Sequence, residues 1–138
     1  MDSRLTTPFS ILRIALGATA TLAGLDKFSN ILADWGSYVS PMTVRMLPFS
    51  VGTFMAIVGV IEIAVGISIL ALAPRVGAYV ASGWLLLVAA NLVIGGHFDV
   101  AVRDVVMSIA ALTLGRAIEV QATSPSQSFR SRATVDAA

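Results

Sequence analysis

The sequence predicts an all-α integral membrane protein, an up-down bundle of four transmembrane helices. Three observations predict it. Of 138 residues, 57% are hydrophobic and only 12% charged, against roughly 25% charged in soluble domains. Mean hydropathy is +0.86, and several apolar runs reach the ~20 residues needed to span a hydrocarbon core. The turns between the later runs are short, which forces antiparallel neighbours.

The first helix is expected from about Pro8 to Leu25, with Pro8 in the first turn, where its missing N–H is no loss. Arg13 interrupts the run, and the following Asp26-Lys27-Phe28 is no small-residue cleavage site, so the segment reads as a retained helix rather than a signal peptide. A polar, aromatic connector to Arg45 holds Asp34, Trp35, Tyr38 and Pro41. Trp35 and Tyr38 suit a half-wet interface, and a short helix plus a turn lying on the bilayer is expected there. The second helix is expected from about Leu47 to Leu72, ending at Pro74-Arg75. The third runs from about Val76 to Ile94 and stops at Gly95-Gly96, and the fourth runs from about Val100 to Ile118. These make one domain over residues 1–120. Residues 121–138, rich in Ser, Thr, Ala and Arg, predict a disordered cytoplasmic tail.

Small residues recur at interface spacing: Gly17, Thr21 and Gly24, then Gly52, Ala56 and Gly59, with Gly77/Ala81 and Ala111/Gly115 in the later helices. In lipid such residues let backbones approach, so they predict a tight bundle rather than a wide pore. Arg4, Arg13, Arg75, Arg116, Arg130 and Arg132 fall on one side of a four-span topology, and Lys27, Arg45 and Arg103 on the other. That excess places both termini in the cytoplasm.

The net charge of +1 supplies no field for nucleic acid. The absence of cysteine excludes an intrinsic dithiol relay or a cysteine-ligated cluster. No metal-binding, nucleotide-binding or nucleophile-triad motif is present. Glu62 lies about ten residues from the Leu72 end, ~15 Å into the bilayer. There a carboxylate is costly and faces a bundle interior with a partner, as a structural ion pair or a functional group. Arg13, ~8 Å from its own edge, is the expected partner unless it snorkels to the headgroups. Arg13 and Glu62 are therefore the ligand-binding candidates. Asp26, Lys27, Asn91, His97, Asp99, Arg103 and Asp104 gather at the other edge as a structural or proton-relay network. Asp99 and Arg103, four apart, share a helical face. For Asp99 and Lys27 an exposed interfacial place is expected. His97, the only histidine, suits either a structural or a proton-shuttling role.

Four stretches carry a family resemblance: Leu12-Arg13-Ile14-Ala15-Leu16-Gly17, Gly24-Leu25-Asp26-Lys27-Phe28, Gly59-Val60-Ile61-Glu62-Ile63-Ala64-Val65-Gly66 and Arg103-Asp104-Val105-Val106. In that order, over roughly residues 8 to 118, the chain resembles the DoxX-like family of small four-helix bacterial membrane proteins. The resemblance implies the bacterial cytoplasmic membrane and redox chemistry. One relative is a subunit of a thiosulfate:quinone oxidoreductase, and others accompany detoxification of oxidants or thiols. Lack of cysteine sets this chain apart from relatives that handle disulfides. The expected function is a redox-linked membrane subunit binding a quinone or another small lipophilic molecule between its helices. With no electron carrier encoded, a protein partner or a second copy joins the bilayer among its partners. The alternative is a non-catalytic anchor or assembly factor, its small-residue faces packed on another protein. A transporter or channel ranks last, since no inverted repeat or broken helix pair is evident.

Overall fold

The computed structural model describes residues 3–123. They fold as α1 (Ser3–Asp26), a 3₁₀ turn (Trp35–Tyr38), α2 (Pro41–Met46), α3 (Val51–Ile67), a π-helical turn (Ser68–Leu72), α4 (Pro74–Ile94) and α5 (Phe98–Thr123). No strand occurs among the described residues.

Three helical stretches are long and apolar enough to cross a membrane: Arg4–Asp26, Val51–Leu72 and Pro74–Ile94. The expected fourth is not among them. α5 carries Asp99, Arg103 and Asp104 in its first two turns, then Arg116 and Glu119. Large apolar side chains stand exposed on every long helix, among them Ile11, Ile14, Val60, Leu87 and Ile109. Such surfaces suit a lipid bilayer, in which exposed apolar side chains lose nothing.

Boundaries differ from expectation for local reasons. α1 starts at Ser3, leaving Pro8 inside it rather than in its first turn. α3 starts at Val51 rather than Leu47, because Ser50 caps it by accepting from the Thr53 N–H, leaving Leu47-Pro48-Phe49 outside. α2 begins the same way, with Ser40 accepting from Thr43 N–H and Pro41 in the first turn. α4 ends in a Schellman pattern. Gly96 takes φ +81°, its N–H bonds the Val93 carbonyl, and the His97 N–H bonds that of Leu92. α5 continues to Thr123, and the rest of the expected tail lies outside the described residues.

The helices pack as two pairs, α1 on α3 and α4 on α5. Glycines set the first pair: a Cβ on Gly24 would lie 2.7 Å from the Gly59 carbonyl oxygen, and one on Gly66 2.7 Å from that of Gly17. Both approaches are closer than any side chain allows, so the small residues of α1 and α3 pack against each other. In the second pair, Ser82 and Ser108 are buried and hydrogen-bonded, with Ser108 Oγ donating to the Ser82 carbonyl at 2.8 Å. The pairs meet around fully buried Ile69 of the π turn, in a core of Leu16, Val65, Ala78, Ala81, Ala111 and Leu114. Gly77 lets the α4 backbone touch that turn. Toward the connector the pairs separate.

Candidate functional site

The separation leaves a cavity of about 870 Å³, within the ~300–1,000 Å³ typical of ligand sites. Leu16, Val58, Val65, Ile69 and Ala81 form its apolar depth, and Trp35, Tyr38, Val39 and Thr43 of the connector roof it. Lys27, Glu62, Asn91, Arg103 and Asp104 are the polar residues of its wall.

Glu62 is paired, but not with Arg13. Its Oε2 lies 2.6 Å from Lys27 Nζ, an ion pair between α1 and α3. Lys27, expected at an exposed interface, keeps only 5% of its side chain accessible and Glu62 14%. The ammonium also stands 3.9 Å from the centre of the Trp35 ring, a cation–π contact strengthened by desolvation. The reason for the exchange of partners is register. With Gly24 against Gly59 and Gly17 against Gly66, Arg13 falls beside Leu70, a full turn and more beyond Glu62. There Arg13 Nε donates to the Ile69 carbonyl (2.9 Å) and Nη2 to that of Leu70 (2.6 Å). Arg13 serves the π turn and does not line the cavity.

The expected network at the connector end resolves into separate devices. Buried Asp26 gathers the chain leaving α1: its Oδ1 accepts from Ile31 N–H and Ser29 Oγ, and its Oδ2 from Leu32 N–H and Trp35 Nε1, each at 2.8–2.9 Å. Asn91 fastens the same connector to α4, its Oδ1 accepting from Ser40 N–H and Thr43 Oγ1 while its Nδ2 donates to the Tyr38 carbonyl. His97 stands edge-on to Tyr38, centroids 4.9 Å apart. Arg103 bonds its neighbour Asp104 (2.9 and 3.0 Å) rather than Asp99. Asp99 is exposed and Asp104 buried. Among the described residues no salt bridge joins α1, α4 and α5 at this end; Asp26 and Asn91 instead hold the connector through hydrogen bonds to its backbone.

Two residues went unremarked as site components. From the sequence Trp35 is legible only as an interfacial aromatic. Trp84 lines the cavity, and its indole nitrogen is the one buried side-chain nitrogen or oxygen without a partner among the described residues. An aromatic within an apolar run carries no signal that it borders a void. At the far end, Glu119 accepts from Tyr79 Oη (2.7 Å), Arg116 (3.0 Å) and Arg75 (2.9 Å), closing α4 onto α5.

Because five donors converge on Asp26, the fifth being the Ala33 N–H at 3.4 Å, Asp26→Ala is expected to free the connector without melting the helices. Losing charge-assisted bonds of about 1.5–3 kcal/mol each predicts cleavage between residues 28 and 50 accelerated at least ~10-fold. Limited proteolysis beside far-ultraviolet circular dichroism checks it, and an unchanged cleavage rate would contradict the tethering role. The chain matches no family model, no curated protein and no solved structure.

Proposed function

We propose that the chain is a DoxX-like, redox-linked subunit of a bacterial cytoplasmic membrane, and that it binds a quinone or another small lipophilic molecule between its helices. On this reading α1, α3 with its π turn, α4 and α5 are four spans, and both termini are cytoplasmic. The observation that carries it is the cavity of about 870 Å³ whose mostly apolar wall contains a desolvated Lys27–Glu62 pair. Two of the four stretches that carry the resemblance, around Lys27 and around Glu62, meet there.

A quinone supplies two-electron chemistry accompanied by protons. Glu62 would exchange the proton, and Lys27, rather than Arg13, would hold its charge state. Apolar walls exclude water, and the connector roof closes the polar end. Electrons would come from a partner protein. The alternative, an anchor or assembly factor, needs free small-residue faces. Gly17, Gly24, Gly59 and Gly66 are spent within the chain, which leaves the exposed Gly52 and Gly83 for such a partner.

Glu62→Gln, nearly isosteric, is expected to lower co-purifying quinone at least ~5-fold when the protein is isolated in native lipid discs, with fold retained. Quinone content and quinone-linked redox rates equal to those of the wild type would sink the proposal.

A further inference from the structure

We infer that the cavity selects an uncharged lipophilic molecule whose polar end carries hydrogen-bond donors, hydroxyl or N–H, received by the carboxylates of Glu62 and Asp104 from different walls. This rests on the reading of the cavity as a ligand site and specifies its ligand.

The inference starts from the hydrogen-bond capacity of the polar wall. A carboxylate offers about four acceptor sites on two oxygens. Glu62 spends Oε2 on Lys27, and Asp104 spends Oδ1 on both Arg103 nitrogens. Glu62 Oε1 and Asp104 Oδ2 receive no hydrogen bond from the described residues, although Asp104 keeps only 5% of its side chain accessible. Donors are scarcer. Lys27 is directed at Glu62 and at the Trp35 ring, Arg103 is 57% exposed and Asn91 is engaged with the connector, so the unpartnered Trp84 indole N–H is a single buried donor set against two open carboxylate oxygens. The wall therefore offers acceptors in excess, and a ligand rich in donors fits it.

Charge narrows the class further. Each acid in the wall already has its cation, so a charged head would enter a low-dielectric site with nothing left to neutralise it. Glu62 belongs to the α1/α3 pair and Asp104 to α5. A ligand held by both bridges the two helix pairs where they diverge. Its apolar body would point toward Leu16, Val65 and Ile69. Among redox-active lipophiles, this favours the reduced, hydroxyl-bearing form over the carbonyl form.

Three probes of similar ring size separate the possibilities: 2-naphthol, with a donor; 2-methyl-1,4-naphthoquinone, with acceptors only; and 2-methylnaphthalene, with neither. Binding is measured by equilibrium dialysis against the full chain in lipid nanodiscs, with empty discs as reference. A charge-assisted hydrogen bond predicts 2-naphthol bound at least ~10-fold more tightly than either other probe. Asp104→Asn and Glu62→Gln should each shrink that preference severalfold while leaving 2-methylnaphthalene unchanged. A quinone bound as tightly as the naphthol overturns this inference and leaves the lipophile-binding reading standing. No probe retained above empty discs overturns both. An undiminished preference in a folded Asp104→Asn protein overturns the two-walled arrangement. Should a variant fail to fold, the rank order in the unaltered protein still decides.

Discussion

Arg13→Met is expected to destabilise the protein by about 3 kcal/mol, although methionine is far cheaper to place in lipid than arginine. The π turn is the reason. A π turn shifts the backbone hydrogen-bond ladder, and Arg13 donates to two carbonyls within it, Ile69 and Leu70. Ile69 is fully buried at the centre of the core, where no water can replace the lost donor. Bonds to a charged donor are worth about 1.5–3 kcal/mol each, and an abandoned buried acceptor costs about 1–3. The saving from removing a cation offsets only part of that. Arg13→Lys, keeping a charge but not the fork of donors, should fall between. Reversible unfolding in detergent micelles, followed by circular dichroism, measures the difference. A methionine variant within about 0.5 kcal/mol of wild type would show the turn to be self-sufficient.

The second large effect concerns Lys27 and Glu62 together. Lys27→Met alone leaves a carboxylate in an apolar wall, and Glu62→Met alone leaves an ammonium there. Each should cost about 3–5 kcal/mol, because the surviving charge stays desolvated and unpaired. The double variant should recover most of the loss, since apolar replacement of a buried pair is often neutral or stabilising. The resulting coupling energy, from the same unfolding experiment on all four proteins, separates structure from function. If the pair exists for ligand chemistry, the double variant folds and carries no quinone. If stability of the double variant is no better than the worse single variant, the pair is structural and irreplaceable.

The four long helices were legible because hydropathy runs are local, each appearing within five residues of expectation at either end, although only three of them are long and apolar enough to cross a membrane. Glu62 was equally legible as a costly carboxylate amid Val, Ile and Ala that needs a partner, whether structural or functional. Its partner was not. Depth along one helix does not fix its height on a neighbour, and α1 extends at its start by five residues beyond Pro8. What fixes the pairing is the register of Gly17 on Gly66 and Gly24 on Gly59. Gly17, Gly24 and Gly59 are legible as interface residues, but Gly66 is not, and which glycine meets which is a property of two helices at once. The π turn was illegible altogether. Ser68-Ile69-Leu70-Ala71-Leu72 contains no proline or glycine to announce it, and the feature becomes intelligible only through a side chain 56 residues away. Asp26 illustrates the opposite error. A charge at a helix end suggests part of an ion-pair network, whereas short-range backbone and side-chain donors within nine residues satisfy it.

The fastening of the connector has a consequence for biosynthesis. Asp26 can gather residues 29–35 as soon as they leave the ribosome, since every donor lies within nine positions of it. Asn91 is made 51 residues after the Ser40 it must hold. Throughout the intervening synthesis of α3 and most of α4, the roof is hinged at one edge and loose at the other. The connector's attachment to α4 is therefore completed only after Asn91 is made, long after its attachment to α1.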